Sequence, residues 1–191
     1  MALTTLDPTT ALVLIDLQKG VVAAAVSRGC AQAVEQVVGQ ARLLAAAFRR
    51  RGLPVVLVNV AGAAPGRTEQ SFDPAGLPPD WTELVAALDR QPGDHAVTKR
   101  TWGAFPHTGL EALLRGLGVT QLVLAGIATS IGVESTAREA HSLGFNVTLA
   151  VDAMTDPNPE AHASSVGHIF PRLGETGTAR EIINLLGSEQ A

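Results

Sequence analysis

Apolar positions along the chain follow two alternating patterns. Runs of four to six residues, Ala11–Ile15, Val55–Val60, Leu122–Ala125 and Asn146–Val151, are predominantly apolar and read as strands buried on both faces. Between them the apolar period changes to that of a helix. Residues Ala31 to Arg51 place Val34, Val37, Val38, Ala41, Leu44 and Phe48 on one face, with three arginines in the last turn and Gly52 after it. Thr108 and Glu111 form the signature of a capping box, opening a helix through Leu110, Leu113, Leu114 and Leu117 that Gly118 closes. Val133, Thr136, Ala137, Ala140 and Leu143 share a face of a further helix, ended by Gly144. Asn158 and Pro159 suit the N-cap and first position of another, and Thr178 with Glu181 caps a last helix through Leu186.

Shorter segments complete the pattern. His95–Lys99 predicts a short strand, Trp81–Leu88 a short helix, and Arg172–Glu175 an edge strand. Residues 61–80 carry four prolines and no period, which predicts a long ordered loop of the kind that covers a site. Alternating strands and helices with short connections predict one α/β domain over residues 1–191. It would be three-layered and doubly wound, with a mainly parallel, about six-stranded sheet. In such sheets the site lies beyond the carboxyl ends of the strands. Asp16, Asn59, Lys99, the 126–132 turn and Asp152 all fall there.

Composition narrows the function. The chain has 191 residues, enough for a full core, and 46% are hydrophobic, yet no apolar run reaches the length of a membrane span. Fourteen Lys and Arg against 18 Asp and Glu give a net charge of −4 without a basic block, which argues against nucleic acid as a partner. The N-terminus has no signal-peptide pattern, so a cytoplasmic location is expected. Cys30 is the single cysteine and excludes an internal disulfide. The five histidines lack ligand spacing, and no metal or cofactor is expected. Nucleophile-elbow, phosphate-loop and dinucleotide fingerprints are all missing.

Two residues stand out as candidate chemistry. Asp16 follows an unbroken apolar run, at the edge of a dry interior, where burial raises a carboxyl pKa and a nearby cation lowers it. A helix N-cap or turn role stands level with that reading. Lys99 ends a short strand and alone reads as a surface lysine; paired with Asp16 it forms a coupled acid–cation set of the kind active sites use. The segment Gly126-Ile-Ala-Thr-Ser-Ile-Gly132 runs from a buried strand into a helix start. Its backbone amides at the positive end of the helix suit an oxyanion, or it is simply a tight turn.

Taken in order, the segments Leu14-Ile-Asp16-Leu-Gln18, Lys99-Arg-Thr-Trp-Gly-Ala-Phe105 and Gly126 to Arg138 resemble the isochorismatase-like hydrolase superfamily. That group includes nicotinamidases, N-carbamoyl amidases and isochorismatases. Val151-Asp-Ala-Met-Thr-Asp156 and Phe170-Pro-Arg-Leu-Gly extend the likeness over nearly the whole chain. The resemblance implies that Asp16 and Lys99 belong to a catalytic Cys–Asp–Lys set, and that a non-proline cis peptide falls at Ile127–Ala128. It also implies a homo-oligomer, a dimer or higher, with the helix at 131–143 as the expected interface. The nucleophilic cysteine of the amidase members corresponds to Gly132, so the thiolate route is closed. The loop after the second strand has no histidine, unlike the metal-binding loop of nicotinamidases.

Isochorismatases proper resemble this chain in lacking the cysteine and hydrolyse a vinyl ether through an Asp general acid, the role expected of Asp16. The alternatives are a silent small-molecule-binding homologue, or a Cys-to-Gly variant of an amidase. Substrate contacts are expected from Gln18, Arg67, Trp102, Phe105, Ile127, Ala128, Ser130 and Ile131. Arg67 reads first as an exposed loop residue and only second as a carboxylate clamp, while Trp102 and Phe105 read equally as pocket walls and as core aromatics. Ser130 is a weak substitute nucleophile, with Asp16 as its only base, and Cys30 is expected to be inert and remote.

Overall fold

The structure is a computed structural model describing residues 3–70 and 76–188. Its centre is a six-stranded, wholly parallel sheet of β1 (Thr10–Ile15), β2 (Val55–Val60), β3 (His95–Lys99), β4 (Gln121–Ile127), β5 (Asn146–Thr155) and β6 (Glu175–Gly177), in the order β3-β2-β1-β4-β5-β6. Strand alternation divides the core in two. Leu12 and Leu14 of β1 face α2 (Ala31–Arg50) and α7 (Ala179–Ser188), where Leu44, Phe48 and Ile182 are buried. Ala11, Val13 and Ile15 face α3 (Leu110–Gly116) and α4 (Glu134–Ser142), where Leu110, Leu114, Ala137 and Ala140 are buried. Helices therefore cover both faces, as near-continuous apolar strands require.

From β1 the chain winds outward to β2 and β3, then returns to place β4 on the other side of β1. The helices that follow β1 and β4 pack there on opposite faces of the sheet, the position at which doubly wound sheets carry their sites. Gly126 lies opposite Ile15 with φ 133°, and a Cβ would overlap the Ile15 carbonyl. Only glycine lets the two central strands approach this closely.

Several segments depart from the sequence reading. A helix not expected from the pattern, α1 (Lys19–Ser27), follows β1 directly. The Trp81–Leu88 helix does not form, and only Ala86–Leu88 makes a 3-10 turn. Its carbonyls are already taken: Trp81 O accepts from Gln18 Nε2 and Gly20 N, Thr82 O from Asn59 Nδ2, and Glu83 O from Lys19 N. The Thr108–Glu111 box is also not closed. Thr108 Oγ1 accepts from Leu110 N at 3.2 Å, while Glu111 lies 3.7 Å from Arg115.

The edge strand begins at Glu175 rather than Arg172. Pro171 starts the short helix α6 (Phe170–Leu173), which continues the α5 (Pro159–Ser164) segment through a π-helical turn. Strand β5 runs to Thr155 because its pairing with β4 shifts between Leu124 and Gly126. Asp152 is thus inside a strand, and its carboxylate caps α7 at Ala179 N (2.6 Å). The Thr178–Glu181 box is formed, with Thr178 N to Glu181 Oε2 at 2.7 Å and Glu181 N to Thr178 Oγ1 at 3.2 Å. Among the described residues no helix is long and apolar enough to cross a membrane.

Gly126→Ala adds both a disfavoured φ and a backbone clash between the two central strands. It is expected to destabilise by at least about 3 kcal/mol, read as a fall in the urea unfolding midpoint.

Candidate active site

Asp16 is the first residue after β1. Its backbone N–H still donates to Val58 O at 2.9 Å, but its φ of 54° breaks the strand's alternation and redirects the carboxyl. Aspartate is among the few residues that adopt this left-handed conformation readily. Lys99 ends β3, two strands away, a separation of about 10 Å between backbones that its four-carbon stem helps to span. Lys99 Nζ lies 2.8 Å from Asp16 Oδ2 and donates to Trp102 O (2.6 Å) and Thr101 O (3.2 Å). All three ammonium hydrogens thus have acceptors, as the burial of a lysine only 2% exposed requires.

The carboxyl is asymmetric. Oδ2 holds the lysine, whereas Oδ1 is buried without a hydrogen-bond partner. Burial is the largest influence and raises the Asp16 pKa to about 6, against the opposing pull of the Lys99 charge and hydrogen bond. Such a carboxyl holds a proton through mildly acidic pH and releases it close to neutrality.

Gly132 completes the arrangement. The Ile127–Ala128 peptide is cis, and residues 129–133 form a single π-helical turn into α4. A Cβ at Gly132 would lie 3.1 Å from Asp16 Oδ2, 3.5 Å from Lys99 Nζ and 2.9 Å from Ile15 Cγ2. The bare backbone of residue 132 therefore faces the acid and the ammonium together. Asp156, just beyond β5, anchors the turn: its Oδ2 accepts from Ser130 N (2.9 Å) and Ser130 Oγ (2.7 Å), and its Oδ1 accepts from Asn158 N (2.9 Å). The buried Thr129 hydroxyl lies 2.9 Å from His162 Nδ1.

The remaining sequence candidates divide clearly. Gln18 is fully buried and its amide is committed to the backbone: Nε2 donates to Val60 O and Trp81 O, and Oε1 accepts from Val60 N. It ties the 81–85 segment to β2 instead of presenting a free group to a substrate. Phe105 is a core aromatic, its ring centroid 6.0 Å from that of Phe145. Ile127 is buried in the α2-side core, while Ala128 is half-buried and its carbonyl accepts from Ile131 N and Val133 N. Ser130 donates its hydroxyl to Asp156, which leaves Asp16 without the role of its base. Trp102 and Ile131 are 65% and 40% exposed, one beside the carbonyl that holds Lys99 and the other beside Gly132. Arg67 is exposed in the 61–70 loop.

Cys30 lies nearer the turn than its sequence position suggests, but its Sγ is 3.9 Å from Asp156 O, with Asp156 between it and Ser130. Sequence reasoning did not single out Asp156 or the Thr101 and Trp102 carbonyls. The signal for Asp156 was its place at the end of the Val151–Asp156 segment of the family likeness, five residues beyond the expected strand, and backbone acceptors carry none. Among the described residues no three His, Cys, Asp or Glu side chains converge as metal ligands. A surface cavity of about 350 Å³ opens at the opposite, amino-terminal end of the strands, around Gln121 and Asn146, and shares no residue with the Asp16–Lys99 pair.

Comparison with known proteins agrees with this geometry. The family model of the isochorismatase domain matches residues 10–181. The chain is 45% identical over 184 residues to the uncharacterized isochorismatase family protein YecD of Escherichia coli O157:H7, covering 93% of this chain and 96% of that one. A streptothricin hydrolase of Streptomyces noursei is 35% identical over 143 residues, 75% of this chain and 48% of that protein. The solved structure of an isochorismatase family protein from Burkholderia thailandensis superposes with a TM-score of 0.87 at 40% identity, covering 96% of this chain and 98% of that one. With the family model matched over residues 10–181 and a relative 45% identical over 93% of the chain, the chain belongs to the isochorismatase family of hydrolases.

Proposed function

We propose that this hydrolase acts without a covalent intermediate, with Asp16 as general acid on the enol ether of a small organic acid such as isochorismate. The observation that carries the reading is the Asp16 carboxyl itself. It is buried, with one oxygen on Lys99, the other unpartnered, and a pKa of about 6, beside a residue with no side chain.

In the proposed reaction, the enol CH2 carbon takes the Asp16 proton as the C=C electron pair forms the new C–H bond. An oxocarbenium ion results. Water adds to its carbon and passes a proton back to the Asp16 carboxylate, and the hemiketal collapses to a ketone and an alcohol. Lys99 stabilises the carboxylate left after proton transfer, making Asp16 a stronger acid than burial alone would allow. Gly132 fits this scheme because the reaction needs a water and an acid at this point, and no thiol.

General acid catalysis requires protonated Asp16, so kcat/KM should be high below pH 6 and fall as pH rises through the carboxyl's pKa of about 6. Lys99→Met removes the charge that holds this pKa down and should move the falling limb to higher pH. Asp16→Asn should lower kcat/KM by about a thousandfold. Steady-state assays of isochorismate hydrolysis across pH test all three, and an Asp16→Asn variant with unchanged turnover overturns the reading.

A second reading is supported by the space around Gly132. A side chain placed there would contact both Asp16 and Lys99, the surroundings of the amidase thiol, so the chain fits a silent binding homologue. On that reading the native protein turns over no enol ether, and Gly132→Cys creates hydrolysis of small amides. Assaying both proteins on both substrate classes separates the two readings.

A further inference from the structure

We propose that Glu139 is a positioning residue for the Asp16–Lys99 pair, its carboxylate holding the 101–105 turn whose carbonyls aim the lysine. The inference rests on the acid reading of Asp16 above. Glu139 lies on α4, two helical turns beyond Gly132, and is half-buried. Its Oε2 accepts from Phe105 N at 3.2 Å. Gly103, in the same turn, packs so closely that a Cβ would overlap the carboxylate. The carbonyls of Thr101 and Trp102, immediately before Gly103, are the two acceptors that share Lys99 Nζ with Asp16.

A continuous path of contacts therefore runs from Glu139 to the Phe105 amide and Gly103, through the Trp102 carbonyl to Lys99 Nζ, and on to Asp16. The alternative for a half-buried glutamate is an ordinary ion pair, and among the described residues no group within ion-pair distance supplies one. Arg138, its neighbour on α4, pairs with Glu134 at 2.9 Å, and Arg100 donates to Ala61 O at 3.2 Å. Residues 101–105 carry no charge, and Lys99 is the cation that acts on Glu139. Burial raises the Glu139 pKa, while the Phe105 amide and the Lys99 charge pull it back.

The site thus contains two carboxyls governed by one ammonium. Asp16 contacts it directly, and Glu139 fixes the backbone that the ammonium donates to. A long lysine side chain crossing two strands has many rotamers, and a chain of fixed acceptors restricts it to one.

The test measures the Asp16 carboxyl pKa directly, by 13C NMR titration, with Asp16→Asn assigning the resonance. Glu139→Ala frees the turn. Glu139→Gln keeps one acceptor while losing the charge, and Gly103→Ala displaces the carboxylate without changing any charge. If Glu139 positions Lys99, the ammonium is less well held in each variant and the Asp16 pKa rises, by about half a unit or more in Glu139→Ala. If Glu139 acts only as a nearby negative charge, its removal lowers the Asp16 pKa. If it only supports the fold, Tm falls and the pKa is unchanged. Either of those two results in the folded variants overturns the proposal. Should Glu139→Ala not fold, Glu139→Gln and Gly103→Ala decide the sign. A wild-type Asp16 that titrates near its ordinary 3.8 sinks the acid reading, while the direction of the variant shifts still judges the positioning role.

Discussion

Two charges removed from water at the carboxyl end of the sheet set the terms for everything around them. The Asp16–Lys99 pair, 2.8 Å apart with side chains 8% and 2% exposed, is tolerable only because each remaining ammonium hydrogen finds a carbonyl. Those carbonyls must be held in place, the two strands must end at matching heights, and the helix start between them must leave room. Register supplies the second condition: Ile15 lies opposite Val58, and Lys99 opposite Val60. The exception to pairing is Asp16 Oδ1, which is buried without a hydrogen-bond partner.

Two glycines make this arrangement possible for different reasons. Gly126 is required by backbone proximity between β1 and β4, and its φ suits no other residue. Gly132 has no such backbone requirement; what matters is the side chain it omits. A Cβ there would sit against both Asp16 Oδ2 and Lys99 Nζ, and burial raises the Asp16 pKa beside that space. Family membership places the chain among hydrolases.

The turn between β4 and α4 is secured from outside the site. Asp156 takes the Ser130 amide and hydroxyl, and Asn158 closes onto its other oxygen. Asp16, Lys99 and Asp156 are each set at or just beyond a strand end, of β1, β3 and β5. Trp102, whose carbonyl accepts from Lys99, and Ile131, next to Gly132, are exposed.

Local pattern determined the strand–helix alternation, the doubly wound parallel sheet and the nomination of Asp16, Lys99 and the 126–132 turn. The physical reason is that buried strands and amphipathic helices write their periods into adjacent residues, and a strand-end acid after an apolar run is visible without coordinates. Tertiary structure alone decided the roles set by long-range hydrogen bonds. Gln18 reads as a site residue by its place beside Asp16, yet its amide bridges Val60 and Trp81, 42 and 63 positions away. The helical pattern at 81–88 was overridden once Gln18, Asn59 and Lys19 claimed its carbonyls. The pattern ends the strand at Val151 and makes Asp152 its terminal acid; with β5 carried on to Thr155, Asp152 caps α7 and Asp156, just past the strand, anchors Ser130. Nothing in the sequence sets Glu139 apart, and its partner, the Phe105 amide, comes from the 101–105 turn folded against it. Which acid meets which donor depends on distances between segments far apart in the chain, and no local period records them.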